Sequence, residues 1–304
     1  MAFGQYVNLD FDQIKTSIKD YLRSNTNFTD YDFEGSNLSI IIDALAYNTY
    51  ITSYNTNMAA NECFLDSSTL RENVVSLARN IGYVPRSRRS ARARISFNIS
   101  GITDTVTSTI RAGIICNGSA SNTSYIFSIP EDITVPVVDG VAIFNNVEIY
   151  EGTLINQNFT VNTSQFNQRY ILSNSFIDTS TIRVKVKPDE SSSSTVTYQQ
   201  IDNVVGVTST SSSYLLQEIE DERYELIFGD NVIGKKLSND NYITVSYIIT
   251  AGKDGNGASE FSFIGNIIDQ DGATIDASNF SLVTTEESSR DGDEIESISS
   301  IKYY

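Results

Sequence analysis

Apolar positions recur along this chain in two periods, and the change from one to the other divides it. Over the first 85 or so residues the period is helical. Phe11, Ile14, Ile18, Tyr21 and Leu22 form one stripe, with Lys15, Lys19 and Arg23 outside it, which predicts an amphipathic helix. Asp10 is placed to cap it, with Gln13 as the partner of a capping box. After a polar break over residues 25–35, a second helix is predicted to start beyond Ser36. Its stripe is Leu38, Ile41, Ile42, Leu45 and Ala46, continued less cleanly by Thr49, Thr52 and Ala59. A third helix has Thr69 as cap, Glu72 as box partner and Leu70, Val74, Leu77, Ala78 and Ile81 as its face. Gly82 is placed to end it, and Pro85 follows. Tyr47, Tyr50 and Tyr54 lie on a face of the second helix that the Leu38 stripe does not explain. Large apolar faces are rarely left wet, so that face is expected to meet a partner helix, the alternative being the chain's own β region. The candidate partner-helix interface is Leu38, Ile41, Ile42, Leu45, Tyr47, Tyr50 and Tyr54.

From Arg94 the period falls to two. Ile95, Phe97 and Ile99 alternate with Ser96, Asn98 and Ser100, and Ile182, Val184 and Val186 with Arg183, Lys185 and Lys187. Further strands are predicted over Tyr125–Ile129, Val141–Tyr150, Tyr170–Leu172, Tyr224–Phe228 and Tyr242–Ile249, with turn formers such as Asp139-Gly140 and Asp230-Asn231 between them. The serine-rich pieces Asp189–Thr195 and Thr208–Ser213 read as loops. The fold class is therefore α+β: an N-terminal helical bundle segment followed by antiparallel β-sandwich-like domains. Past Thr250 the chain turns glycine-rich and then acidic, with six carboxylates against one arginine over Glu286–Glu296. Ile295, Ile298 and Ile301 open a helical stripe that stops before a self-sustaining length, so the end from about Glu286 is expected to pack poorly alone.

Composition narrows the chemistry. The 304 residues contain no histidine and no tryptophan, which removes Ser-His-Asp and Cys-His catalysis and histidine metal sites. Cys63 and Cys116 form no CxxC, and two free thiols are expected. Residues 1–94 hold 10 Lys and Arg and 10 Asp and Glu, whereas residues 95–304 hold 11 and 28, so the later part carries the whole net charge of −17. That field disfavours nucleic acid and anionic membrane as partners. No signal peptide and no membrane-length apolar stretch is visible. The one basic run is Arg86, Arg88, Arg89, Arg92 and Arg94. It lacks interleaved aromatics and precedes an acidic region, so it reads as an interdomain linker paired with carboxylates of the chain or a neighbour.

Several stretches imitate catalytic or ligand motifs. Asp269–Gly272 and Asp254–Gly257 lack the ligand alternation and distal glutamate of a calcium loop. The carboxylates Glu218, Glu220, Asp221, Glu222 and Glu225 read as an exposed acidic loop rather than a glycosidase pair. Gly229 to Lys235 has the wrong spacing for a phosphate-binding loop, and no hydroxyl follows the lysine. No nucleophile–base pair, cofactor site or metal site is assembled, and the chain reads as a non-enzyme.

One constellation is specific. Phe228-Gly229-Asp230-Asn231-Val232-Ile233-Gly234-Lys235-Lys236-Leu237, then Asn241–Tyr247 ending in Tyr247, then Gly252–Gly257, resembles the signature of baseplate J-like proteins, the wedge proteins of contractile phage tails and related injection machines. Asn231 replaces the usual glycine, and Asn239-Asp240-Asn241 the usual Gly-Asn; both are turn formers, and the motif is expected to be a hairpin. Phe64-Leu65-Asp66 through Leu70-Arg71, Gly82–Ser87, Val147–Thr153, Gln168–Tyr170, Asp178–Thr181 and Glu296–Tyr304 narrow the resemblance to the larger wedge proteins of T-even-type phages. The resemblance implies residues 1–85 as a helical core-bundle segment, 86–94 as a basic linker, 95–250 as β-rich domains, and 251–304 as an acidic glycine-rich segment opening a further baseplate J-like domain. It implies a structural subunit that assembles the inner baseplate ring around the hub and transmits the contraction trigger. The implied partners are a second copy and a further wedge subunit in a helical bundle, with other baseplate, hub and sheath-initiator proteins, in the virion tail after assembly in the host cytoplasm. The alternative is a β-sandwich adhesin or tail-fibre-like module that binds glycans.

Overall fold

Asp10 lies in extended backbone, and its Oδ1 accepts from the Gln13 N–H at 3.0 Å. The first helix, α1 (Phe11–Arg23), therefore begins where its local capping signal predicts. The computed structural model describes residues 7, 10–24, 36–120, 122–203, 205–275 and 281–303; the polar break at 25–35 lies outside them. The chain divides into two units, Met1–Pro85 with Ser297–Tyr304, and Arg86–Glu296.

In the helical unit, α2 (Asn37–Glu62) starts at Ser36, whose hydroxyl accepts from the Ser39 N–H at 3.0 Å. Its buried positions are Ser39, Ile42, Ala46, Ser53, Asn57 and Asn61. The inward face is thus small and polar, and Asn57 exchanges two hydrogen bonds with the backbone of Val7. Lys15 and Lys19, expected outside the α1 stripe, are half-buried beside it, while Tyr21 is exposed. Lys15 is drawn in by Asp43 of α2, 2.6 Å away.

The expected Thr69–Glu72 box at the third helix does not form. α3 (Arg71–Asn80) has Leu70 at its cap position, without a side-chain hydrogen bond. Instead the Glu62 carboxylate, at the end of α2, accepts from Thr69 N (2.7 Å), Thr69 Oγ1 (2.6 Å), Leu70 N (3.3 Å) and Asn73 Nδ2 (2.8 Å). A carboxylate at a helix N-terminus also meets the positive end of the helix dipole. α3 buries Val74, Val75 and Ala78, while Leu70 and Ile81 of the expected face are exposed. The buried side is covered by the last helix, α4 (Ile298–Tyr303), through Ile301 and Ile298. Lys302 Nζ donates to the carbonyls of Asp66 and Ser68. The end of the chain is therefore not poorly packed: Ile301 is 2% exposed, because α3 supplies the surface its short stripe lacks.

The β unit holds two sheets. The first contains β1 (Arg92–Ser100), β2 (Thr107–Ile110), β3 (Gly113–Ala120), β4 (Thr123–Ile129), β5 (Ile133–Val138), β6 (Val141–Glu151), β14 (Glu260–Phe263), β15 (Ile267–Ile268) and β16 (Thr284–Arg290). It runs β14-β3-β4-β6-β5-β2-β15, with β1 on β6 and β16 on β1. The second contains β7 (Thr153–Thr160), β8 (Tyr170–Ile171), β9 (Ile177–Lys187), β10 (Val196–Gln200), β11 (Ser213–Glu218), β12 (Tyr224–Phe228) and β13 (Tyr242–Ile249), in the order β7-β13-β9-β10-β11-β12-β8. One core gathers Ile95, Phe97, Phe127, Phe144 and Ile149; the other gathers Tyr170, Val184, Tyr214, Val245 and Tyr247. The chain passes from first sheet to second at Gly152, whose φ is +121° and where a Cβ would lie 2.2 Å from the Ile249 carbonyl oxygen. The outer strands of the second sheet are joined by one side chain. Gln157 of β7 donates to Ile171 O of β8 and accepts from Ser173 N and the Tyr247 hydroxyl.

The α+β class expected from the sequence holds, with one parallel pair in otherwise antiparallel sheets, β10 with β11 at Gln199 and Ser213. Two sequence expectations are corrected here. The basic stretch 86–94 lies within the β unit rather than linking domains, since Arg92 and Arg94 are strand residues of β1 and Arg89 forms a bridge with Asp293. Residues 251–296 are not a separate segment: β14, β15 and β16 complete the first sheet, and only Ser297–Tyr304 joins the helices.

Candidate functional site

The side of α2 turned away from its unit's interior carries the exposed Ile40, Ala44, Tyr47, Ile51 and Tyr54, a row that the half-buried Met58 continues, spaced 4, 3, 4, 3 and 4 residues apart. That is the a/d spacing of a helix seam. Ile40 and Tyr47 are 63% and 61% exposed, and Ile41 and Leu45 beside them 54% and 53%. The helix has no charged residue between Asp43 and Glu62, and both of those are engaged within the unit. A 26-residue helix meant for water would place charges on its outer face.

The structure sorts the sequence-predicted interface. Ile41, Leu45, Tyr47 and Tyr54 are exposed, Leu38 and Tyr50 are half-buried, and Ile42 is 1% exposed. Ile42 is therefore removed from the interface and belongs to the unit's own core. Ile40, Ile51 and Met58 were missed by sequence reasoning; the 3–4 alternation that collects them could have found them.

Electrostatics fix the ends of this helix rather than its face. Burial works against the charged form of Glu62, but the hydrogen bonds from Thr69, Asn73 and Leu70 outweigh it and hold the carboxyl at about 2. Cys63, the C-cap, is exposed and free. Cys116, in the first sheet, is also free, and burial pushes its thiol up to about 12.

In the β unit, four of the five arginines of the basic run have carboxylate partners. Arg86 meets Asp293 (3.4 Å), Arg88 meets Glu294 (2.8 Å), Arg92 meets Glu148 (3.7 Å), and Arg94 lies between Glu148 and Glu287 (both 3.9 Å). Arg88 also stacks 4.5 Å over Phe176, and Arg92 5.3 Å over Tyr150. Arg89 is exposed, with no ion pair among the described residues. Beneath this run Glu151 is buried and accepts from Thr250 Oγ1 (2.5 Å) and Ala251 N (3.0 Å). Burial raises its pKa against those hydrogen bonds.

The Phe228–Lys235 motif is not a hairpin. β12 pairs with β11 and β8, while β13 pairs with β7 and β9. The loop between them closes on itself: Asp230 Oδ1 accepts from Val232 N and Ile233 N, and Asn231 N donates to Gly234 O. Gly229 is needed because a Cβ there would lie 2.2 Å from the Gly234 carbonyl carbon. Gly234 N and Lys235 N donate to Thr208 O and Ser211 O, which turns the loop towards the serine-rich segment. Lys235 is exposed, whereas Tyr247 is buried with its hydroxyl bonded to Gln157 and Asn174. Burial raises that phenol to about 12. Among the described residues no group of three or more Cys, Asp or Glu is arranged to hold a metal ion.

The comparisons agree with this division. Residues 10–83 match the family model described as the baseplate wedge protein gp6-like helical domain, from the α1 cap to just past α3. The baseplate wedge protein gp6 of Enterobacteria phage T4 is 28% identical over 276 residues, covering 85% of this chain and 41% of that protein. The chain thus spans about two fifths of the length of the relative it matches. The helices carry one match and most of the chain the other: in its helical unit the chain is similar to the gp6-like helical domain, and over 85% of its length it is similar to a phage baseplate wedge protein.

Proposed function

We propose that this chain is a structural, non-enzymatic subunit of a contractile-tail baseplate wedge, which helps to build the inner ring around the hub and to transmit the contraction trigger. The observation that supports this reading is the α2 surface: six seam positions at heptad spacing, apolar and without charge, on the helical unit that resembles the gp6-like domain. Its partners in this reading are a second copy of the chain and a further wedge subunit, whose helices cover the seam in a bundle. A trigger can pass through such a bundle because packed helices shift between discrete arrangements rather than deform continuously.

The test is co-expression with the other wedge proteins of the same phage. Replacing Tyr47 and Ile51 by Asp places charges in the seam, each costing roughly 3 kcal/mol or more if it is buried unpaired. Co-purification is expected to be lost while the far-ultraviolet circular dichroism is kept. Undiminished co-purification of the folded double variant would end the bundle reading.

A further inference from the structure

The seam row of α2 is uneven in size, and the unevenness has a direction. In order it reads Ile40, Ala44, Tyr47, Ile51, Tyr54 and Met58. Laid in parallel on an identical row, Ala44 faces Ala44, and each tyrosine faces its own copy: a gap, then crowded layers. Laid antiparallel with Tyr47 opposite Ile51, the row places Ala44 opposite Tyr54 and Ile40 opposite Met58. The small residue then receives a large one, which is how helix surfaces reach interior packing density. Charge agrees with this. The row is free of charge, whereas Asp12, Asp20 and Arg23 of α1 and Glu72 and Arg79 of α3 are exposed. Laid on the row by their outer sides, those helices would carry charges out of water; the outer side of α2 carries none. The exposed neighbours Asn48 and Asn55 are neutral too, so size rather than ion pairing sets the register. Antiparallel alignment also brings the positive end of each helix dipole beside the negative end of the other.

We propose that the seam binds the α2 of a second copy of this chain in antiparallel orientation, about a twofold axis that passes between Tyr47 and Ile51. The contact is isologous and closes on itself as a dimer. Its layers are Ile40 with Met58, Ala44 with Tyr54 and Tyr47 with Ile51, each occurring twice. Ile41 and Leu45, exposed beside the row, stay outside these layers and are left for the helix of the further wedge subunit. The proposal rests on the bundle reading above and adds to it the orientation and register of the two copies.

The experiment uses the full chain and its exposed thiol. Cys63 is free and exposed while Cys116 is buried, so a nitroxide label is directed to Cys63. Along the helix axis, at 1.5 Å per residue, two labels at Cys63 lie about 40 Å apart in this register, and two at Asn48→Cys in a Cys63→Ser chain about 3 Å. Double electron–electron resonance is expected to give the long distance for the first, and dipolar broadening of the continuous-wave spectrum the short one for the second. The chain is expected to sediment as a dimer. Ala44→Tyr sets tyrosine against tyrosine and is expected to weaken the dimer about tenfold; Ala44→Tyr with Tyr54→Ala is expected to restore it. Short distances at both labels would mean parallel helices and overturn the proposal, as would failure of the size swap to restore the dimer. A chain that is monomeric at about 0.1 mM yet co-purifies with the other wedge proteins would overturn this pairing and leave the bundle reading standing. A dimer with the stated distances, whose Tyr47→Asp, Ile51→Asp variant keeps its wedge partners, would do the reverse.

Discussion

Glu62 gathers four donors onto one carboxylate, so its protonation is an event in the stability of the helical unit. Its folded pKa of about 2 lies below the ordinary 4.5. The contribution is therefore complete above pH 4.5 and is lost as pH falls towards 2. Glu62→Gln is expected to destabilise the unit by about 1 kcal/mol at pH 7, with the gap to the native chain closing in acid, read from helical ellipticity during thermal unfolding. A gap that stays constant down to pH 2.5 would show that the charge is not what matters. Glu151 has the opposite sign. Burial raises its pKa, so its contribution is fullest below the ordinary carboxylate range and declines as pH rises through its folded value. Urea midpoints followed by tyrosine fluorescence should fall from pH 5 to pH 8 in the native chain and fall less in Glu151→Gln. At Gly152 the constraint is steric. Gly152→Ala adds a Cβ against the Ile249 carbonyl oxygen at a positive φ, and a loss of about 3 kcal/mol is expected in the same urea experiment.

Elements with local causes were the legible ones. The α1 and α2 starts follow from Asp10 and Ser36, and the limits of β12 and β13 coincide with the alternation of their sequences. β16, Thr-Thr-Glu-Glu-Ser-Ser-Arg, gives no such signal, because it is an outer strand recruited by β1 rather than by its own apolar face. The faces of α2 were mis-sorted for a related reason. Its interior is filled by Ser53, Asn57 and Asn61, whose polarity imitates a solvent side, and its apolar seam lies outside. The hairpin failed because pairing is not local: a turn can be read at Asp230, but not which strands the chain will join beyond it. α4 illustrates the same limit from the other side. Six residues are too few to hold a helix in isolation, yet Ile301 seals α3. Ile301→Ala is expected to cost about 2–4 kcal/mol and to lower the temperature at which helical ellipticity is lost. Unfolding unchanged from the native chain would mean that α4 docks without contributing.

For the molecule as a whole, the excess of carboxylates governs what it meets. Four of the five arginines of the basic run are paired with Asp293, Glu294, Glu148 and Glu287, so binding of a duplex oligonucleotide at 50 mM salt is expected to be undetectable by fluorescence anisotropy at micromolar protein. Tight binding with a steep salt slope would contradict that pairing. The connectivity carries a consequence for time. Lys302 and Ser68, which touch in the helical unit, stand 234 residues apart, with the entire β unit encoded between them. At about 5–20 residues per second, a ribosome that has finished α3 takes roughly 10–50 s to deliver α4. Through that interval Val74, Val75 and Ala78 lack their native cover, and the α2 seam is already made. The order of synthesis thus sets a waiting period in which chaperones or partners reach an unfinished helical unit, and translation speed through the β region becomes a control on how cleanly that unit closes.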